Sequence, residues 1–185
     1  MQSESGSSVL VERVDRYMSG NVTTVLVSDT LDLVVARMKA LRIAGFPVLD
    51  PDGKLVAVVS EIDVARSLSP VKGVDSLPGF LEMFLRAPRD DSRDPFQLVI
   101  NRLRHLRVGS CMTSPAVTIN AGGSIREAAE LMVGRRINRL PVVDSNGRLV
   151  GIITRTDLIR ALSGARETEA ARAAPRGRVQ AVIPA

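Results

Sequence analysis

The chain has 185 residues, of which 45% are hydrophobic and 24% are charged. This composition is typical of a globular protein with enough chain for one domain or two small ones, and it excludes a disordered chain. The formal net charge of +5 favours anionic partners without identifying them. Because no apolar stretch reaches the roughly 18 residues that a membrane span needs, and the polar start lacks a signal-peptide core, we expect a cytoplasmic protein.

The predicted elements follow one order twice. In the first half they are a strand at 23–27, a helix at 28–43, strands at 46–50 and 54–60, and a helix at 62–68. In the second half they are a strand at 116–119, a helix at 123–137, strands at 140–144 and 148–154, and a helix at 156–162. Ser124 and Glu127 form a capping-box pattern that marks the start of the second long helix. The predicted fold class is therefore α/β (α+β), with the order β-α-β-β-α in each half.

An internal duplication explains this order. At a constant offset of 94 positions and without a gap, Pro47 aligns with Pro141 and Asp63 aligns with Asp157. Further identical pairs at this offset include Met18 with Met112, Gly53 with Gly147, and Arg66 with Arg160. Chance does not hold one register over such a length, so we interpret the chain as two copies of one structural unit.

A segment at 69–105 separates the two copies and is predicted to contain helices at 77–87 and 95–106. The apolar face of the second helix carries Phe96, Val99, Ile100 and Leu103. These helices either cover a sheet edge or core, or form a surface for self-association or a partner. The predicted domains are a flexible tail at 1–9, a first module at 10–68, the insertion at 69–105, a second module at 106–163 and a basic tail at 164–185.

Each copy ends its last strand on a hydroxyl that is followed three positions later by a carboxylate. These residues are Ser60 and Asp63 in the first copy, and Thr154 and Asp157 in the second. Asp at this place can accept hydrogen bonds from hydroxyl groups of a ligand, and the start of the following helix favours an anion. Ordinary helix capping explains the same residues without a ligand. Both interpretations stay open on the motif alone.

The segments VGSCMTSPAVTI, RRINRLPVVDSNGRLVGIITRTDLIRAL and AGFPVLDPDGKLVAVVSEIDVARSL resemble a tandem pair of CBS domains, a Bateman module. The resemblance covers roughly 10–68 and 106–163 and is similar to small stand-alone CBS-domain proteins. It implies two modules packed sheet to sheet around a pseudo-twofold axis, with clefts that bind AMP, ADP, ATP or S-adenosylmethionine in many members. It also implies a homodimer and a regulatory role in which the ligand biases a dimer or partner contact.

The resemblance assigns the ligand residues unequally to the two copies. The stronger site is expected to use Thr154, Arg155, Thr156, Asp157, Asn138, Arg139, Val117 and Thr118. In this set Arg139 matches a phosphate-contacting position, Thr156 a phosphate-contacting hydroxyl, and Val117 and Thr118 the position whose backbone meets adenine. The weaker site is expected to use Ser60, Asp63 and Thr24. It is weaker because Ala44 and Gly45 replace Asn138 and Arg139, and because Glu61 replaces Arg155.

Catalysis finds little support in the sequence. The chain has one His (His105), one Tyr (Tyr17) and one Cys (Cys111), and it lacks a metal-ligand cluster and a phosphate-binding glycine loop. We therefore predict a non-enzyme with no metal and no obligatory cofactor, whose regulatory ligand is an adenosine nucleotide. The alternatives are a ligand-free interaction scaffold and, with less support because aromatics are only 3%, a nucleic-acid-binding protein.

Overall fold

A computed structural model describes residues 9–68, 95–163 and 180–181. Its strands are β1 (Thr23–Leu26), β2 (Gly45–Leu49), β3 (Leu55–Ser60), β4 (Ile119–Asn120), β5 (Arg139–Val143), β6 (Leu149–Thr154) and β7 (Gln180–Ala181). Its helices are α1 (Leu31–Leu41), α2 (Glu61–Leu68), α3 (Pro95–His105), α4 (Ile125–Arg135) and α5 (Arg155–Leu162), with 3₁₀ turns at Val14–Arg16 and Val108–Ser110. The predicted order β-α-β-β-α is confirmed in both copies.

Two predicted elements differ from the structure or lie outside it. The strand expected at 116–119 is shorter, because only Ile119–Asn120 pairs as β4. The helix expected at 95–106 is present as α3, whereas the one expected at 77–87 lies outside the described residues. Among the described residues, no helix is both long and apolar enough to cross a membrane.

The two copies build their sheets with the same pairing. β1 runs parallel to β2, and β2 forms an antiparallel hairpin with β3. β4 and β5 repeat the parallel pair, and β5 and β6 repeat the hairpin with the same irregularity near its turn. The turns contain Gly53 at φ 78° and Gly147 at φ 76°, which a residue with a side chain adopts only with strain. The duplication is therefore structural as well as sequential.

The chain forms two compact units, each with its own apolar core. Of the described residues, the first unit contains 24–68 and 95–115, and the second contains 9–23, 116–163 and 180–181. These units differ from the sequence repeats, because the segment that precedes each copy packs with the other copy. Val14 is fully buried in the core of the second unit, and Val108 is fully buried in that of the first.

Helix α3 also belongs to the first core. Val99 and Leu103 are almost completely buried there, and Ile100 packs against the same cluster. The backbone joins this region as well, since Leu31 N–H donates to the carbonyl of Leu106 at 3.0 Å. Part of the segment assigned to the insertion at 69–105 is thus a structural component of the first unit.

A buried ion pair fixes the connection between β1 and α1. Asp29 Oδ2 accepts a hydrogen bond from Leu26 N–H at 3.1 Å and lies 3.2 Å from Arg37 Nη1. The side chains of Asp29 and Arg37 are only 7% and 13% exposed. The second copy has Gly123 and Leu131 at the equivalent positions, so this ion pair is specific to the first unit.

Candidate functional site

At the end of β6, Thr154 and Asp157 form a reciprocal capping box that begins α5. Thr154 donates to Asp157 Oδ2 twice, from its backbone N–H at 2.8 Å and from its hydroxyl at 2.6 Å. Asp157 N–H returns a longer hydrogen bond of 3.4 Å to Thr154 Oγ1. The capping interpretation of the motif is therefore confirmed, and it uses only one oxygen of the carboxylate.

The second carboxylate oxygen has a different environment. Asp157 Oδ1 lies 3.6 Å from Arg160 Nη1, and the Arg160 side chain is 57% exposed. The Asp157 side chain is only 10% exposed, and 3.6 Å is too long for a hydrogen bond, so Arg160 pairs with Oδ1 by charge without donating a hydrogen bond to it. Oδ1 therefore keeps acceptor positions that the helix cap does not use.

Further predicted residues lie at the same edge of the second unit. Arg139 is the register partner of Thr154 across the β5–β6 hairpin, and Arg155 N–H donates to the carbonyl of Asn138 at 3.0 Å. Thr156 follows in the first turn of α5 and is exposed. The structure therefore brings the two arginines together with the hydroxyl and the carboxylate, at a helix start whose partial charge is positive.

Three of the predicted site residues lie outside the strands and helix that carry the capping box of the second motif. Val117 and Thr118 precede β4 outside any strand, and Val117 packs against the core of the second unit. Thr24 lies in β1 and is 1% exposed, and its hydroxyl has no hydrogen-bond partner among the described residues. Thr24 is buried while Val117 and Thr118 are partly exposed, and the contacts of all three with an adenine or ribose group stay predictions.

The first copy repeats the hydrogen bonds of the carboxylate, and its Asp63 accepts one more than Asp157 does. Ser60 donates to Asp63 Oδ2 from its backbone N–H at 2.8 Å and from its hydroxyl at 2.6 Å. Asp63 Oδ1 accepts a third hydrogen bond, 2.9 Å long, from the hydroxyl of Thr113. Glu61 adds a negative charge where the second copy has Arg155. The carboxylate of the first motif therefore has fewer unused acceptor positions than that of the second, and its surroundings carry less positive charge.

Sequence reasoning missed Thr113. The residue lies outside the regular strands, in an isolated antiparallel bridge to Val58 next to the first motif. The available signal was a hydroxyl residue directly after the repeated methionine in both copies, Ser19 after Met18 and Thr113 after Met112. Nothing in that pattern shows the direction of the hydroxyl, which depends on the tertiary pairing.

Cys111 lies in the same region and is expected to be an unreactive thiol. Burial, with a smaller contribution from the negative charge of Asp63, raises the pKa of the Cys111 thiol to about 11. At pH 8 a thiol of that pKa carries about a hundredfold less thiolate than one near 9, and the thiolate is the nucleophile. We therefore expect native protein to react with iodoacetamide at least about a hundredfold more slowly than urea-unfolded protein. Equal rates in the two states, followed by mass spectrometry, would contradict this placement of Cys111.

The comparison with protein families decides the classification. The sequence profile of the CBS domain matches residues 11–70 and 108–164, which are the two copies. The chain belongs to the CBS-domain family. It is 36% identical over 145 residues to an uncharacterised protein of Methanocaldococcus jannaschii, with 73% of this chain and 82% of that protein covered. It is also 35% identical over 141 residues to the chloroplastic CBS domain-containing protein CBSX1 of Arabidopsis thaliana, where the match covers 75% of this chain and 56% of the relative.

Solved CBS structures share the fold. The CBS domain of a CBS domain-containing membrane protein from Sphaerobacter thermophilus superposes with a TM-score of 0.64 at 28% identity, covering 85% of this chain and 91% of that one. CBSX2 of Arabidopsis thaliana, solved in complex with AMP, superposes with a TM-score of 0.61 at 28% identity, covering 82% and 97%. The predicted resemblance to a CBS-domain pair is therefore confirmed.

Proposed function

We propose that this CBS-domain protein binds an adenosine-containing nucleotide at the second motif. The observation that carries the proposal is that the two carboxylate oxygens of Asp157 differ: Oδ2 accepts both hydrogen bonds from Thr154, whereas Oδ1 accepts none within the described residues and lies 3.6 Å from Arg160. A ribose diol can donate to that oxygen without loss of the capping box. The AMP complex of CBSX2 supports the choice of ligand class by family likeness.

The charges around the motif fit the phosphate end of such a ligand. Arg139 and Arg155 lie on either side of Thr154, one as its neighbour across the hairpin and the other as the next residue. Arginine is suited to phosphate because its planar guanidinium offers paired donors. The start of α5 adds backbone N–H groups and a partial positive charge. The first motif offers Gly45 and Glu61 at the matching places, so it has no comparable cationic pair.

The proposed role is regulatory rather than catalytic. Binding regulates only if the ligand prefers one of two states, so we propose that the nucleotide biases the contact of a homodimer or of a partner protein. Three features support such coupling: the duplicated units, the two arginines of the second motif, and the exposed apolar side chains of Ile159 and Leu162 on α5. A cytoplasmic location is part of the same proposal.

Calorimetric titration with AMP, ATP and S-adenosylmethionine tests the proposed function. The proposed position of the phosphate is tested by the variant Arg139→Ala, titrated with AMP and with adenosine as the matched ligand without a phosphate. We expect Arg139→Ala to weaken AMP binding by about tenfold or more, because a charge-assisted hydrogen bond to phosphate is lost. Adenosine binding should be nearly unchanged, because adenosine has no phosphate. Absence of binding by all these ligands at millimolar concentration would refute the function and leave the scaffold alternative.

A further inference from the structure

Asp63 and Asp157 have unequal numbers of free acceptor positions. An ionised carboxylate has about four lone-pair positions for hydrogen bonds. Asp157 uses two of them, both on Oδ2, for the donors of Thr154. Asp63 uses the equivalent two for Ser60 and a third, on Oδ1, for Thr113. A ribose diol donates two hydrogen bonds, so Asp157 can accept both and Asp63 can accept one.

We propose that Thr113 is a specificity-determining residue that holds Asp63 Oδ1 and prevents the first motif from binding a ribose diol. This inference rests on the proposed function and extends it, because it explains which of two nearly identical motifs binds. The hydroxyl of Thr113 is an internal substitute for one hydroxyl of the ligand. The wild-type chain is therefore expected to bind one nucleotide, at the second motif.

The backbone does not cause the difference between the copies. Thr113 and Val58 exchange two hydrogen bonds of 2.9 and 3.1 Å, and Ser19 and Ile152 exchange two of 2.9 and 3.0 Å. The two bridges are equivalent at the offset of 94, so Ser19 occupies the place of Thr113 beside the second motif. Within the described residues, no hydrogen bond joins the Ser19 hydroxyl to Asp157. The direction of one hydroxyl thus distinguishes the motifs.

Arg160 does not occupy Oδ1 of Asp157 in the way that the Thr113 hydroxyl occupies Oδ1 of Asp63. Arg160 Nη1 is 3.6 Å from Oδ1 and its side chain is 57% exposed, so the arginine can move into water when a ligand arrives. Thr113 is also an exposed residue, but its backbone is held by the bridge to Val58, its side chain is short, and its hydrogen bond to Asp63 is 2.9 Å long and partly buried. A ligand at the first motif must break that bond.

A gain-of-binding experiment tests the proposal, and adenosine is the probe because the charge of Glu61 has no phosphate to repel. Asp157→Asn first weakens the second motif. Addition of Thr113→Val to Asp157→Asn is expected to raise adenosine affinity by about tenfold, since one charge-assisted hydrogen bond becomes available at Asp63. Further addition of Asp63→Asn should remove the gain. Ser19→Ala on the Asp157→Asn background is the matched control and should give no gain.

A measurement without ligand accompanies the titrations. Thr113→Val and Asp63→Ala are expected to shift the urea midpoint non-additively, because each removes the same hydrogen bond. Additive shifts would overturn the proposal, as would wild-type adenosine binding with no gain from Thr113→Val in a folded protein. Absence of binding of adenosine, AMP, ATP and S-adenosylmethionine by the wild-type chain refutes the proposed function instead, even where the midpoints are non-additive.

Discussion

Arg37→Met is expected to lower the free energy of unfolding of the first unit by about 3–5 kcal/mol, because it leaves the buried charge of Asp29 without its partner. Asp29 is 7% exposed at its side chain, so water replaces the guanidinium poorly. Methionine keeps much of the volume of the arginine stem, which limits the contribution of a cavity. Chemical denaturation followed by circular dichroism measures the loss.

Two matched variants separate loss of the buried charge pair from a general effect of arginine removal. Asp29→Asn combined with Arg37→Met removes both charges, so the double variant should be more stable than Arg37→Met alone. Arg16→Met removes an arginine that is 62% exposed and pairs with Glu12 at 3.3 Å, and it should cost no more than about 1 kcal/mol. Equal losses for Arg37→Met and Arg16→Met would show that burial does not govern the ion pair.

The sequence predicted the repeated architecture because the copies share the residues that determine local structure. Gly53 and Gly147 provide the positive φ of the two hairpin turns, and Asp50 and Asp144 each accept two backbone N–H groups there. Of the predicted capping box only one half forms: Ser124 Oγ accepts a hydrogen bond from Glu127 N–H at 3.1 Å and caps α4, and within the described residues no bond joins Ser124 N–H to the Glu127 side chain. Each of these signals acts over four residues or fewer, which is why a single sequence reveals them.

Long-range packing was not predictable in the same way. Val14 and Val108 are apolar residues in short irregular segments, and no periodicity indicates that each packs in the unit formed by the other copy. Residues 116–118 have the composition of a strand but lack the pairing of one, since strand formation depends on a neighbour and not on propensity alone. Contacts between distant segments determined both results.

The same difference between short-range signals and long-range contacts applies to the candidate site. The motif predicted that Thr154 and Asp157 lie together at a helix start, and the hairpin register adds Arg139 beside them. The sequence presented capping and ligand binding as competing explanations. The structure makes them compatible, because the two oxygens of Asp157 have separate environments. Which oxygen is free depends on side-chain rotamers, and the order of residues does not encode those directly.

Asp157→Ala is expected to weaken nucleotide affinity by roughly 10- to 150-fold, the effect of losing a charge-assisted pair of hydrogen bonds to the ribose. The same change removes the capping box of α5 and should cost about 1 kcal/mol of unfolding free energy. Isothermal calorimetry with AMP measures the first effect, and chemical denaturation measures the second.

Asp63→Ala is the matched variant and should give the opposite balance. Asp63 accepts three hydrogen bonds, including one from Thr113 across 50 positions of sequence, so its removal leaves more donors unpaired than removal of Asp157. We expect a larger loss of stability, about 2 kcal/mol or more, with affinity for AMP nearly unchanged. If Asp63→Ala damages binding more than Asp157→Ala, the nucleotide binds at the first motif, and Oδ1 of Asp157 has no part in recognition.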